Sequence, residues 1–152
     1  MKTRLFVLAA VVLTFVAASM AADDPFVGTW KLTSAKGSSN PLPKSRTYKI
    51  EAQGNEHKMV TDQVDAEGKA THNESTRIID GKDRPSNNPK YDSMRYTRVD
   101  ANTVLNEAIK GGKVVATIKA FVSKDGKTMT LTGKHKDDKG KDSVTVSSYK
   151  KQ

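Results

Sequence analysis

Apolar and polar residues alternate along short stretches of this chain. Val114, Ala116, Ile118, Ala120 and Val122 fall on one side of their segment, with Lys119 and Ser123 on the other. Met129 and Leu131 alternate with Thr128, Thr130 and Thr132, and Val144 and Val146 with Ser143, Thr145 and Ser147. Tyr48, Ile50 and Ala52 alternate in the same way with Thr47, Lys49 and Glu51. A period of two marks a strand with one face on a core and the other in water. No stretch carries an apolar repeat of 3.6 residues over three turns, so no long helix is expected.

The pattern predicts nine strands: 26–34, 46–52, 57–64, 70–79, 93–99, 103–110, 113–123, 128–134 and 143–150. Turn chemistry separates them, as at Gln53-Gly54-Asn55, Asp80-Gly81-Lys82, Lys110-Gly111-Gly112-Lys113 and Asp125-Gly126-Lys127. Gly and Asn accept the positive φ of tight turns, and Asp bonds the backbone that follows it. Such spacing produces consecutive antiparallel strands. The expected fold is therefore all-β: an antiparallel up-and-down meander closed into a barrel of eight or nine strands, which removes exposed edges. Two connections, 35–45 and 82–92, are longer and carry Pro41, Pro43, Pro85 and Pro89. They are candidate mouth or lid loops.

The first 21 residues break the pattern. Lys2 and Arg4 precede an apolar run over 5–18 that only Thr14 interrupts, and small residues follow at Ser19-Met20-Ala21-Ala22. This is the layout of a secretory signal peptide, with cleavage after Ala21 or Ala22. The run is shorter than the roughly 20 residues that span a bilayer. The expected organisation is a removed signal over 1–21 and one domain over 22–152, secreted or periplasmic and not membrane-spanning. The 36% apolar content of the whole chain then overstates the core, because only 38 of the 131 residues from Ala22 onward are apolar.

There is no Cys, so disulfides, thiolate metal sites and cysteine nucleophiles are excluded. His57, His72 and His135 are the only histidines. Folding the hairpin about 65–68 leaves His57 and His72 roughly 13 Å out of register, too far to share a metal ion. Asp62, Glu74, Glu107 and Glu51 sit on separate strands at polar positions, and no nucleophile elbow, phosphate loop or dinucleotide fingerprint is present. Asn73-Glu74-Ser75 matches a glycosylation sequon, relevant only in a eukaryotic secretory pathway. No catalytic residue, cofactor or metal is expected. The mature charge is +7, from 24 Lys and Arg against 17 Asp and Glu, with a dense run at Lys134, Lys136, Lys139 and Lys141. Lysines at turns keep a sheet protein soluble and also attract anions. Nucleic acid is not an expected partner, since no aromatic-rich basic platform exists.

Phe26-Val27-Gly28-Thr29-Trp30-Lys31-Leu32 opens the first strand, and Val146-Ser147-Ser148-Tyr149-Lys150-Lys151 closes the last. A Gly-x-Trp at the start of a small all-β meander resembles the calycin superfamily, which includes lipocalins and fatty-acid-binding proteins. The mature chain is similar to small exported bacterial proteins of the lipocalin-like group. The resemblance implies that Gly28 permits close backbone approach and that Trp30 plugs the closed end. It implies a late cation over Trp30, with Lys150 or Lys151 in the place of the usual Arg. Two departures stand out: Gly37, Pro41 and Pro43 occupy the place of two mouth-capping helices, and Ser147-x-Tyr149 replaces the Arg-x-Tyr that grips a fatty-acid carboxylate.

These features point to a noncatalytic, lipocalin-like barrel that binds a small hydrophobic or amphipathic molecule. Tyr48, Ile50, Met59 and Met94 are the first four candidate lining residues, and Tyr96, Ile118, Phe121 and Met129 complete the set. Methionines adapt to irregular shapes, and Tyr places a polar tip in an apolar wall. Phe121 has the opposite parity to Ile118 and Val122, so one side of that pattern faces outward unless a bulge intervenes. The alternative is a cell-envelope interaction module with a filled barrel, binding protein or an anionic polymer through its basic exterior.

Overall fold

The computed structural model describes residues 24–37, 42–136 and 140–152. The expected signal segment lies outside the described residues. Ten antiparallel strands form one sheet: β1 (Gly28–Gly37), β2 (Ser45–Gln53), β3 (Glu56–Val64), β4 (Ala70–Ile78), β5 (Arg84–Pro85), β6 (Ser93–Asp100), β7 (Thr103–Lys110), β8 (Lys113–Val122), β9 (Thr128–Lys136) and β10 (Asp142–Lys151). The described residues contain no helix, so none is long and apolar enough to cross a membrane. Each strand pairs with its sequence neighbour, except that β4 and β5 do not pair and β1 instead pairs with β10. The sheet thus curls into a barrel whose one unpaired seam lies between β4 and β5.

The strand count exceeds the expected nine because β5 sits inside the connection read as 82–92. Its ladder is only Arg84 with Met94 and Pro85 with Ser93, as suits an edge strand carrying a proline that lacks an N–H. Backbone and side-chain bonds hold the rest of this segment together and to β6. The Gly81 amide donates to the Tyr96 carbonyl at 2.9 Å, Arg84 grips Asp80 at 2.7 and 2.8 Å, and Arg95 reaches Asp83 at 2.6 Å. At the other end of the chain, β1 starts two residues later than expected and runs to Gly37, because β10 offers partners as far as Thr145. Phe26 therefore lies ahead of the sheet.

The Asp-led turns form as the chemistry requires. Asp80, Asp100 and Asp125 each accept a hydrogen bond from the amide two residues on, at 2.8–3.1 Å. The inner face carries the core: Trp30, Ile50, Met59, Val122, Met129 and Tyr149 are among its buried members. On β8 the inner positions are Ala120 and Val122, with Ile118 and Ala116 in line. A register shift opposite Ala108 and Ile109 makes Val115 the extra residue, and Val114 and Val115 are both exposed.

Gly37 is the residue where the backbone dictates identity. Its φ is +83°, and a Cβ there would overlap the Val144 carbonyl of β10. Gly54 also has positive φ but faces open space. Gly37→Val is expected to lower stability by about 2 kcal/mol, while Gly54→Asn stays within about 0.5 kcal/mol. Urea unfolding of both variants measures the difference.

Candidate functional site

One end of the barrel is sealed by the segment that precedes β1. Trp30 is 0% exposed, and its Nε1 donates to the Phe26 carbonyl at 2.8 Å. Lys151 Nζ lies 5.2 Å from the Trp30 ring centroid, so the late cation over the tryptophan is Lys151 and not Lys150. Gly28 has φ +130°, and a Cβ there would meet only the flexible end of Lys151. Its identity is set by φ more than by close backbone packing. Below Trp30, Asp24 binds His57 Nε2 at 2.9 Å, the Phe26 amide at 3.0 Å and Arg98. Arg98 also covers the Phe26 ring at 5.2 Å. Burial opposes ionisation of Asp24, but the hydrogen bonds from His57, the Phe26 amide and Arg98 outweigh it. They hold the carboxyl well below the usual range.

Above this base lies a cavity of about 80 Å³ with a mainly apolar lining. Phe26, Ile79, Val104 and Leu131 belong to that lining, together with the polar groups His57, Arg77 and Asn106. Toward the opposite end a wider space of about 740 Å³ opens beneath Ala116, Gly133 and Thr145 and is bordered by Lys90, Lys110, Lys113, Lys134 and Lys136. Ile118 lines both spaces and is 42% exposed. It marks the neck between the inner cavity and a basic mouth.

Six of the eight candidate lining residues border the inner cavity: Tyr48, Ile50, Met59, Tyr96, Ile118 and Met129. Met94 shares the inner face of β6 but lies opposite Ala108, nearer the mouth, and does not border the cavity. Phe121, expected to line the interior, does not. It is 41% exposed on the outer face, because Ala120 and Val122 hold the inner positions and the bulge lies too far up β8 to invert their parity.

The inner face also carries cations without an acidic partner. Arg46, two residues from Tyr48 on β2, donates through Nε to Gln63 at 2.6 Å and through Nη1 to the hydroxyls of Tyr48 and Tyr149 at 3.4 Å each. The two tyrosine rings lie 5.1 Å apart. Among the described residues no carboxylate pairs with Arg46. Burial works against its charge, but the Tyr48 and Tyr149 oxygens work for it and prevail, so its pKa is raised. Burial first, then Tyr48, pushes the Tyr149 hydroxyl up despite Arg46, so it stays protonated. Each hydroxyl accepts from Arg46 and keeps its own O–H to donate to an acceptor. The last strand lacks the arginine of an Arg-x-Tyr, and β2 brings one to the same tyrosine. Arg77 of β4 reaches across the unpaired seam to the Tyr96 ring of β6, 5.4 Å away, and is likewise without a carboxylate among the described residues.

Elsewhere the chemistry is sparse. His72 lies on the exposed outer face between Asp62 at 2.7 Å and Glu74 at 3.4 Å, which raise its pKa in that order. Among the described residues no group of three His, Asp or Glu is placed to hold a metal ion.

Comparison by sequence finds neither a protein-family model nor a curated protein that matches the chain. By structure the chain is similar to zebrafish ileal bile acid-binding protein complexed with cholic acid, at TM-score 0.56 and 15% identity over 84% of this chain and 99% of that one. It is similar to lipid binding protein 8 of Caenorhabditis elegans, at TM-score 0.58 and 14% identity over 88% of this chain and 100% of the other. A third neighbour is As-p18, an extracellular fatty acid binding protein, at TM-score 0.52 and 18% identity over 85% and 97% of the two chains. The neighbours share this fold, an antiparallel meander curled into a lipocalin-like barrel, as the sequence pattern implied.

The Asp24 network sets a pH dependence. Because the folded carboxyl titrates below its ordinary value, its contribution is present above about pH 4 and is lost as pH falls further. Asp24→Asn is expected to lower stability by about 2 kcal/mol at neutral pH. The gap between the two proteins should narrow as pH falls from about 4 to 2. Urea titrations across this range check it; a gap that does not change with pH would contradict the assignment.

Proposed function

We propose that the chain is exported, loses residues 1–21, and binds a small amphipathic molecule with an anionic head inside its barrel. The observation that carries the reading is the inward-facing guanidinium of Arg46, held by Gln63, Tyr48 and Tyr149 with no carboxylate among the described residues. Taking a cation out of water is costly unless an anion or strong acceptors compensate it. A ligand carboxylate would accept from Arg46 and from a tyrosine hydroxyl in charge-assisted hydrogen bonds. The inner end of the ligand's apolar part would lie against Ile50, Met59, Ile118 and Met129.

Size refines the reading. A cavity of about 80 Å³ is below the roughly 300 Å³ where small-molecule pockets usually begin. The bulk of the ligand therefore belongs in the wider mouth, with only its inner end passing Ile118. The lysines around the mouth would draw an anion toward it. The structural neighbours support the same class: they are named for binding bile acid, lipid and fatty acid. The extracellular neighbour accords with export. The envelope-module alternative keeps one supporting feature, the same lysines, which suit an anionic polymer as well as a small anion.

Binding rather than catalysis is the reading His57 favours. Its Nε2 is taken up by Asp24 and Arg98, and no Ser, Thr or Lys lines the inner cavity to serve as a nucleophile beside it.

The test is displacement of a bound fluorescent naphthalene sulfonate from the mature chain by decanoate and by decanol. Decanoate should displace it saturably, and Arg46→Met should weaken decanoate by about tenfold while leaving decanol unchanged. Absence of saturable displacement, or equal affinity for decanoate and decanol, would overturn the reading.

A further inference from the structure

Asn106 sits on the inner face of β7 between Val104 and Ala108, is 7% exposed, and borders the inner cavity. Its carboxamide makes no side-chain hydrogen bond to any described residue, yet no fully buried side-chain polar atom is left unpaired, so its amide atoms look into the cavity. Burying an amide without partners costs about 1–3 kcal/mol, whereas an apolar residue there would be buried without that cost. Its two ladder neighbours are Tyr96 and Ile118, which also border the cavity, and the Arg77 guanidinium lies over the Tyr96 ring. Donors and an acceptor therefore gather on the cavity wall level with the neck at Ile118, and the other polar cluster, at Arg46, is on the opposite wall of the barrel. β2 and β7 stand across from each other in the strand order.

We infer that the ligand is polar at both ends, with an anionic head at Arg46 and a second oxygen function, a hydroxyl or carbonyl, bonded by Asn106 and approached by Arg77. This inference rests on the anionic-amphiphile reading above and narrows it. A plain alkyl terminus pushed into the inner cavity would leave the Asn106 amide unpaired and would strip Arg77 of water. A hydroxyl or carbonyl terminus would meet both groups. Sites built to bond a polar group discriminate strongly against an analogue that lacks it.

The experiment compares decanoate with ω-hydroxydecanoate, which carries the same charge and the same chain, by displacement from the mature protein. The wild type should bind ω-hydroxydecanoate about tenfold more tightly than decanoate. Asn106→Leu should erase that preference while decanoate binds as before or more tightly. Should the Leu variant fail to fold, Asn106→Asp retains the shape. It should keep affinity for the hydroxy acid but weaken α,ω-decanedioate, whose second carboxylate it would repel. Equal or tighter binding of decanoate by the wild type, or a preference that survives Asn106→Leu, would overturn the inference and leave the anionic-amphiphile reading standing. Binding of neither acid would overturn that reading, and this inference with it.

Discussion

Everything in this barrel depends on how Trp30 is held. It lies where β1 meets both β2 and β10, paired with Tyr48 on one side and Lys151 on the other. Its indole is out of water, its N–H is satisfied by the Phe26 carbonyl, and Lys151 covers its face. That one hydrogen bond fixes the chain ahead of the sheet, so that Phe26 becomes part of the cavity wall and Asp24 falls between His57 and Arg98. The indole plug and the ion-pair base are thus one construction. Full burial of a large aromatic contributes roughly 3 kcal/mol, a sizeable share for a chain with so few apolar residues.

The thinness of that core has a functional consequence. Alternation gives each strand only half its side chains for the interior, and several inward positions here are occupied by Arg46, Arg77, Arg98, Asn106 and His57. Arg98 and His57 are compensated by Asp24. Arg46 and Arg77 rest on tyrosines, which supply dipoles and ring faces but no charge. A barrel built for packing alone would carry apolar residues at those positions. One built to receive an anion has reason to keep them, and in the proposed function the small inner cavity joined to a basic mouth at Ile118 would give the anion a route and the rest of the molecule a place to lie.

Much of the architecture was legible because alternation and turn chemistry are local. The hairpins between β2 and β3, β7 and β8, and β8 and β9 needed only Gly, Asn and Asp at the right places. On β8 parity showed that Ile118 and Phe121 could not share a face without a bulge, but not which of them turns inward. What stayed hidden was non-local. β5 pairs only two residues around a proline, and its fastening relies on Arg95, Asp83 and Asp80, which look like ordinary surface charges in sequence. The polar half of the site was missed because charged residues in a strand read as solvated positions. A signal was nonetheless present: Arg46 shares parity with Tyr48 and Ile50, and Asn106 with Val104 and Ala108. No such signal exists for Asp24, whose meeting with His57 and Arg98 depends on the path of the chain below Trp30.

The most direct test of the proposal that this barrel receives an anionic amphiphile is native mass spectrometry of the protein recovered from its own cells. Solvent extraction of the same sample would identify whatever is bound. The account predicts a mature chain carrying a noncovalent adduct that is released as an anionic amphiphile and is lost from the Arg46→Met protein. A bare mature chain, or an adduct that is neutral and indifferent to Arg46, would contradict it.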